Sequence, residues 1–253
     1  MFDDLSNLKV LILRQVNLNS MNDIKFTSFR YLTKLDLSFN NLSSVDQVSF
    51  ENKYLLEYLD QSFNQIDDLD ANIFLYMCNS LVYLNLENNR IDFIGSTFNE
   101  FYKLEIFKIA NNRLIHFVYF VNHWNRILTS NLVSDIYLNN NRIVSIDYFS
   151  YLMTNPEVLN YDTNEISFIE DEAFLNCRLL KRLSISHNKL TRININDFYY
   201  LFSLKYLNLS FNRIHTIEPN SFQNVNKLLE LDLSFNNFHV IDHEIFFGLT
   251  FLI

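Results

Sequence analysis

Apolar residues recur along this chain in a short alternating motif that returns about every 24 residues. Leu32, Leu35, Leu37, Asn40, Leu42 and Val45 set the spacing L-x-x-L-x-L-x-x-N-x-L-x-x-V. Three later copies run from Leu180, Leu183, Ile185 and Asn188 to Ile193, from Leu204, Leu207, Leu209 and Asn212 to Ile217, and from Leu228, Leu231, Leu233 and Asn236 to Ile241. The Asn itself recurs as Asn40, Asn64, Asn89, Asn112, Asn141, Asn164, Asn188, Asn212 and Asn236, and an atypical first unit puts Val16 in its place. Successive intervals are 24, 24, 25, 23, 29, 23, 24, 24 and 24 residues. One register therefore runs the length of the chain and predicts a single domain, residues 1–253, of about ten stacked units.

Each position has a physical role. Alternation of apolar and polar residues predicts one short strand per unit, with Leu35 and Leu37 turned inward and Lys34, Asp36 and Ser38 outward. Ser186 is placed outward in the same way. Strands of successive units then pair in parallel at roughly 4.8 Å. The Asn carries both a donor and an acceptor, so a ladder of them can pair turn backbone that would otherwise be buried unbonded. Ten residues after the Asn, Phe26, Phe50, Phe74, Phe174, Phe198, Phe222 and Phe246 share one slot, with Phe98 one place early. Stacked, they predict an aromatic spine behind the sheet. In the 29-residue unit and the next, that slot blurs among Phe120, Phe149 and Tyr151. Gln61 replaces an inward Leu, which destabilises the core unless its amide is bonded.

The full pattern, LxxLxLxxNxLxxIxxxxFxxL at period 24, resembles the "typical" subfamily of leucine-rich repeats, and the resemblance covers the whole chain. It implies an α/β solenoid: a horseshoe with a parallel β-sheet on its concave face and loops or 3₁₀ turns on its convex face. The subfamily occurs mostly in extracellular and receptor proteins of animals, such as Toll-like receptor ectodomains, chaoptin-like adhesion proteins and small proteoglycans. The implied function is non-enzymatic protein binding within an extracellular receptor or adhesion protein. An intracellular, cytoplasmic scaffold built on the same repeat is the alternative.

The ends bear on that choice. Phe2-x-x-Leu5-x-x-Leu8 matches Phe222-x-x-Val225-x-x-Leu228, and Phe246-x-x-Leu249-x-x-Leu252 opens a further unit. The expectation is an internal segment of a longer protein that lacks both caps, with dimerisation through the uncovered ends; the alternative is a short gene product whose ends are covered by a partner or by itself. No apolar run is long enough to cross a membrane. Cys78 and Cys177, separated by four units, are too far apart for a disulfide and are expected as buried fillers.

Composition narrows the chemistry. Two Gly and two Pro in 253 residues leave no phosphate-cradling loop, and no GxGxxG or GxxxxGK[ST] occurs. The formal net charge of −9 lacks the basic footprint of nucleic-acid binding, so the expected partner is a protein, and a basic one complements that sign. The six His form no HExxH, no GxSxG elbow is present, and the carboxylates scatter over outward positions. No catalytic residue, metal ligand or cofactor is expected.

The candidate contacts are outward strand residues. Tyr58 and Tyr83 are expected as lateral neighbours and anchors, with Asp36, Asp60, Asn85 and Glu87 around them and Tyr137 further along. The same residues also read as ordinary soluble strand positions of high β-propensity. Phe39, Phe63, Phe211 and Phe235, each just before the Asn, read as structural. The insertion in the 29-residue unit, which holds His123 and the only Trp, Trp124, reads either as a tolerated bulge or as a contact loop. Asn41-Leu42-Ser43 and Asn208-Leu209-Ser210 are N-glycosylation sequons.

Overall fold

Each apolar alternation forms a three-residue strand. The computed structural model describes residues 6–23, 28–45, 48–69, 72–94, 101–117, 133–147, 155–240 and 242–252. Two compact units divide the chain, Met1–Leu114 with Phe120–Val133, and Ile115–Tyr119 with Ser134–Ile253. In the first, Val10–Ile12, Lys34–Asp36, Tyr58–Asp60, Tyr83–Asn85 and Ile106–Lys108 pair in chain order, all parallel. In the second, Asp135–Tyr137, Val158–Asn160, Arg182–Ser184, Tyr206–Asn208 and Glu230–Asp232 do the same. The register sets like against like: Leu35, Leu59, Leu84 and Phe107 in one buried row, Ile136, Leu159, Leu183 and Leu207 in another. Each fully buried Leu contributes about 1.5–3 kcal/mol.

Behind the strands each coil returns through short pieces. Ser44–Val45 pairs with Asp68–Leu69 in the first unit, and Ser145–Ile146 with Phe168–Ile169 and Arg192–Ile193 with Thr216–Ile217 in the second. The helices among the described residues are 3₁₀ turns of three or four residues, at Met21–Asp23, Val48–Phe50, Leu75–Met77 and His243–Phe246. The architecture is thus a parallel-strand solenoid in which β-structure and loops carry nearly everything. Phe50, Phe74, Phe174, Phe198 and Phe222 are buried in the expected spine, with Phe101 joining Phe74 at 5.5 Å. Phe246 occupies the slot but is 38% exposed. Phe26, Phe98, Phe120, Phe149 and Tyr151 lie outside the described residues. Cys78 and Cys177 are buried and unbridged, and burial pushes the Cys177 thiol up, so it stays protonated.

Within each unit the Asn side chains tie successive coils together. Asn64 accepts from the Leu42 N–H at 3.0 Å and donates to the carbonyls of Leu37 at 3.0 Å and Gln61 at 3.1 Å. Asn188 accepts from the Ile166 N–H at 2.9 Å and donates to Tyr161 and Ile185 at 3.0 and 3.1 Å. Where Val16 stands in place of Asn, its own N–H donates to Asn40 Oδ1 at 3.1 Å. The residue before every ladder Asn is left-handed, with φ between 53° and 59°. Asn88, Asn111 and Asn140 suit that conformation, whereas Phe39, Phe63, Phe211 and Phe235 adopt it at a cost of about 1 kcal/mol each. That φ turns the chain out of the strand and buries the Asn that follows.

Two outward placements are corrected by this turn. Ser38 and Ser186 are buried. The strand ends one residue earlier than simple alternation implies, so the following Ser drops into the turn and bonds there. Ser38 donates its N–H and hydroxyl to Asp36 at 2.9 and 2.6 Å. The Ser186 hydroxyl lies 3.0 Å from that of Ser210.

Gln61 is fully buried in the first unit, and neither its Oε1 nor its Nε2 has a hydrogen-bond partner. An unbonded amide in an apolar row costs about 1–3 kcal/mol. Gln61→Leu restores the inward residue found in neighbouring coils and will raise stability by about 2 kcal/mol. Urea unfolding measures this, and an unchanged or lower midpoint would contradict the assignment.

Candidate ligand-binding faces

The outward residues of the first unit form two rows. Lys34, Tyr58, Tyr83 and Ile106 make one, and Asp36, Asp60, Asn85 and Lys108 the other. The Tyr58 and Tyr83 rings stack at 4.4 Å and 1°. Lys34 Nζ sits 4.2 Å from the Tyr58 ring centre, and Lys108 Nζ sits 5.8 Å from that of Tyr83. The two rings are therefore clamped between cations, and the attraction of ammonium to ring face holds the stack. A partner meets ring edges and hydroxyls there, because the ring faces are already covered. Burial, with Asp60 adding to it, pushes both phenols up, so they remain protonated donors at neutral pH.

The carboxylates are less available than alternation predicts. Asp60 is 9% exposed and Asn85 7%. Asp60 accepts from the Ser62 N–H at 2.9 Å, the Ser62 hydroxyl at 2.6 Å, the Tyr58 hydroxyl at 3.4 Å and Asn85 Nδ2 at 3.2 Å. The same cap recurs wherever the last strand residue is Asp or Asn. Asn85 caps Glu87, Asn160 caps Asp162, Asn208 caps Ser210 and Asp232 caps Ser234. A side chain that accepts the N–H two residues on is an Asx turn, and the signal was present in the repeated D-L-S and N-L-S triplets. Glu87 is half-buried and its carboxyl is raised by desolvation, with Lys108 opposing. Lys34 and Lys108 thus offset Asp36, Asp60 and Glu87, and the patch is mixed in charge rather than plainly acidic.

The outward face of the second unit differs. Long Tyr137 and Tyr206 flank short Val158 and Ser184, which leaves a depression of about 250 Å³. The Arg182 guanidinium lies 3.9 Å above the Tyr206 ring. Sequence reading picked Tyr137 here but gave no weight to Ser184, whose shortness creates the hollow. A larger cleft of about 870 Å³, lined by Arg192, His215 and Glu218 among others, lies on the return path of the same unit. Asp197 is pushed up to about 6 by burial, yet its carboxylate is turned onto Asn194, accepting from its N–H at 2.8 Å and its Nδ2 at 3.2 Å. That geometry closes a loop and leaves no oxygen committed to a substrate. Among the described residues, no group of three or more His, Cys, Asp and Glu could hold a metal ion.

His123 and Trp124 lie outside the described residues. Of the two sequons, Asn41 and Ser43 are exposed. Asn208 is half-buried and holds the buried Ser210 hydroxyl at 2.7 Å.

Residues 30–91, 155–214 and 202–252 match a family model described as "Leucine rich repeat". No curated protein matches the chain. Among solved structures, the APL1 leucine-rich repeat domain superposes with a TM-score of 0.71 at 19% identity, covering 93% of this chain and 64% of that one. The Toll–Spatzle complex of Drosophila gives 0.71 at 21% identity, covering 98% and 36%. A TLR13–ssRNA13 complex gives 0.50 at 23% identity, covering 100% and 29%. The likeness at these identities is one of fold, and the chain spans 29 to 64% of the length of these three.

Proposed function

This chain belongs to the leucine-rich repeat family, and on that premise we propose that it is a protein-binding module of an extracellular receptor, contacting its ligand through the outward strand residues of the first unit. The observation that carries this reading is the Lys34–Tyr58–Tyr83–Lys108 stack. Three side chains of one row, Lys34, Tyr58 and Tyr83, and Lys108 of the neighbouring row are already ordered against one another on four parallel strands, so little conformational entropy is lost when a partner docks. Tyr58 and Tyr83 supply hydroxyls and edges at its centre. Lys34, Lys108, Asp36 and Glu87 supply charges of both signs, which fits a protein surface better than a polyanion. The net charge of −9 points away from nucleic acid in the same way. The Toll–Spatzle and TLR13 structures support the receptor reading by fold alone. The exposed Asn41 sequon supports an extracellular setting, which glycan at Asn41 in protein from the source cells would bear out; a cytoplasmic scaffold is the alternative.

The test places a photo-crosslinking residue at position 34, 108 or 196 in turn and exposes the chain to the surface proteins of its source cells. The same protein should be captured from positions 34 and 108 and not from Asn196 on the return path. Capture from 196 alone, or the same yield at all three positions, would overturn the reading.

A further inference from the structure

The exposed Phe residues before the ladder Asn have no part in the sheet face. In the second unit, His187, Phe211 and Phe235 form a continuous stack, with ring centres 4.1 Å apart and planes within 15°. Phe211 is 42% exposed and Phe235 70%. Both hold φ of 53°, a conformation that Asn occupies more readily, as Asn140 does in the same unit. Solvent-facing aromatics held in a strained backbone conformation make that surface a candidate for a partner.

A second observation lies beside them. The residue after each ladder Asn follows the residue of the aromatic row by two positions, with only the ladder Asn between them. In the second unit these residues are Arg142, Glu165, Lys189, Arg213 and Asn237. Lys189 and Glu165 pair at 2.8 Å. Arg142 and Arg213 are exposed and lie in no ion pair of the described residues, and Lys189, with the Arg142 charge adding to it, lowers the Glu165 carboxyl. A chain of net charge −9 thus carries a locally cationic strip alongside a strip of aromatic edges. In the first unit Arg14 lies 4.4 Å over Phe39 and Phe39 stacks on Phe63 at 4.1 Å, but the residues after those two ladder Asn are the uncharged Asn41 and Gln65.

We infer that this flank is a second interaction surface and that its occupant is an acidic protein segment bearing aromatic or aliphatic side chains. Carboxylates of the segment meet Arg142 and Arg213, and its apolar side chains lie along the ring edges of Phe211 and Phe235. A single-stranded nucleic acid shares the charge but fits less well. Bases bind by stacking on open ring faces, and here the rings already close on one another at 4.1 Å.

The test uses the whole chain and a fluorescent random copolymer of Glu and Tyr, with oligothymidylate as the nucleic-acid arm. The copolymer should bind at low salt and weaken as salt rises. Phe211→Asn with Phe235→Asn should cut its affinity by about tenfold or more. Because Asn suits the left-handed backbone, that double variant should melt no lower than the parent, which separates lost binding from lost fold. Arg142→Gln with Arg213→Gln should weaken the copolymer to a similar degree, while Tyr83→Ala on the sheet face leaves it unchanged. Full affinity in the Phe variant would overturn the inference. So would oligothymidylate binding as tightly as the copolymer with the same dependence on Phe211 and Phe235. A Tyr83→Ala variant that loses the copolymer would assign it to the sheet face and overturn the inference as well.

Discussion

Asn188→Ala will cost the fold roughly 2–3 kcal/mol. The substitution removes an acceptor for the Ile166 N–H and a donor shared among three carbonyls, Tyr161 of the preceding coil and Ile185 and Ser186 of its own. All of these groups are buried, so water cannot replace the lost partners without opening the coil. The matched control is Asn196→Ala, an exposed residue on the return path, for which the loss should stay under about 0.5 kcal/mol. Ser186 cannot serve as that control because it is itself buried and bonded. Urea midpoints compare the two, and equal losses would show that the Asn side chains do not tie the coils together.

Lys53→Met will stabilise the chain at neutral pH, by about 2 kcal/mol. Lys53 stands three residues after Phe50, where other coils carry an apolar residue such as Met77 or Leu201. Its side chain is fully buried, and Nζ donates to the Glu51 carbonyl at 3.1 Å. Burial lowers its pKa to about 8, with Glu51 opposing and Arg30 adding to the depression. The folded-state pKa is thus below the unfolded one, and the unfolded chain binds more protons between them. Stability therefore rises as pH climbs from about 8 toward 10.5, and the full penalty is present below 8. Thermal melts across that window should rise for the parent and stay flat at this position for Lys53→Met. A parent that loses stability on the same climb, with no difference from the variant, would contradict the assignment.

The fold was legible because a solenoid writes its geometry into a period. Leu35 and Leu37 alternate over too few residues to mean much alone, but the same alternation ahead of nine Asn in one register leaves a single architecture. Local detail was less legible wherever a residue answers to its turn rather than to its strand. Ser38 and Ser186 follow the alternation on paper yet fall inside the turn, because the chain leaves the strand through a left-handed residue. Asp60 and Asn85 read as free outward groups, but their first obligation is to cap backbone two residues on. Tyr58 and Tyr83 were legible as neighbours from the register, whereas the capping of their faces by Lys34 and Lys108 depends on rotamers that spacing does not encode. Phe39, Phe63, Phe211 and Phe235 read as structural, and their rings do stack from coil to coil at 4.1 Å, but spacing does not show that they stack at the surface.

The central claim is that the sheet face of the first unit receives a protein, and hydroxyl-radical footprinting of its tyrosines tests it most directly. With the protein captured at positions 34 and 108 bound, Tyr58 and Tyr83 should lose reactivity while Tyr54, 59% exposed on the return path, keeps it. Protection of Tyr54 with Tyr58 and Tyr83 as reactive as in the free chain would contradict the claim.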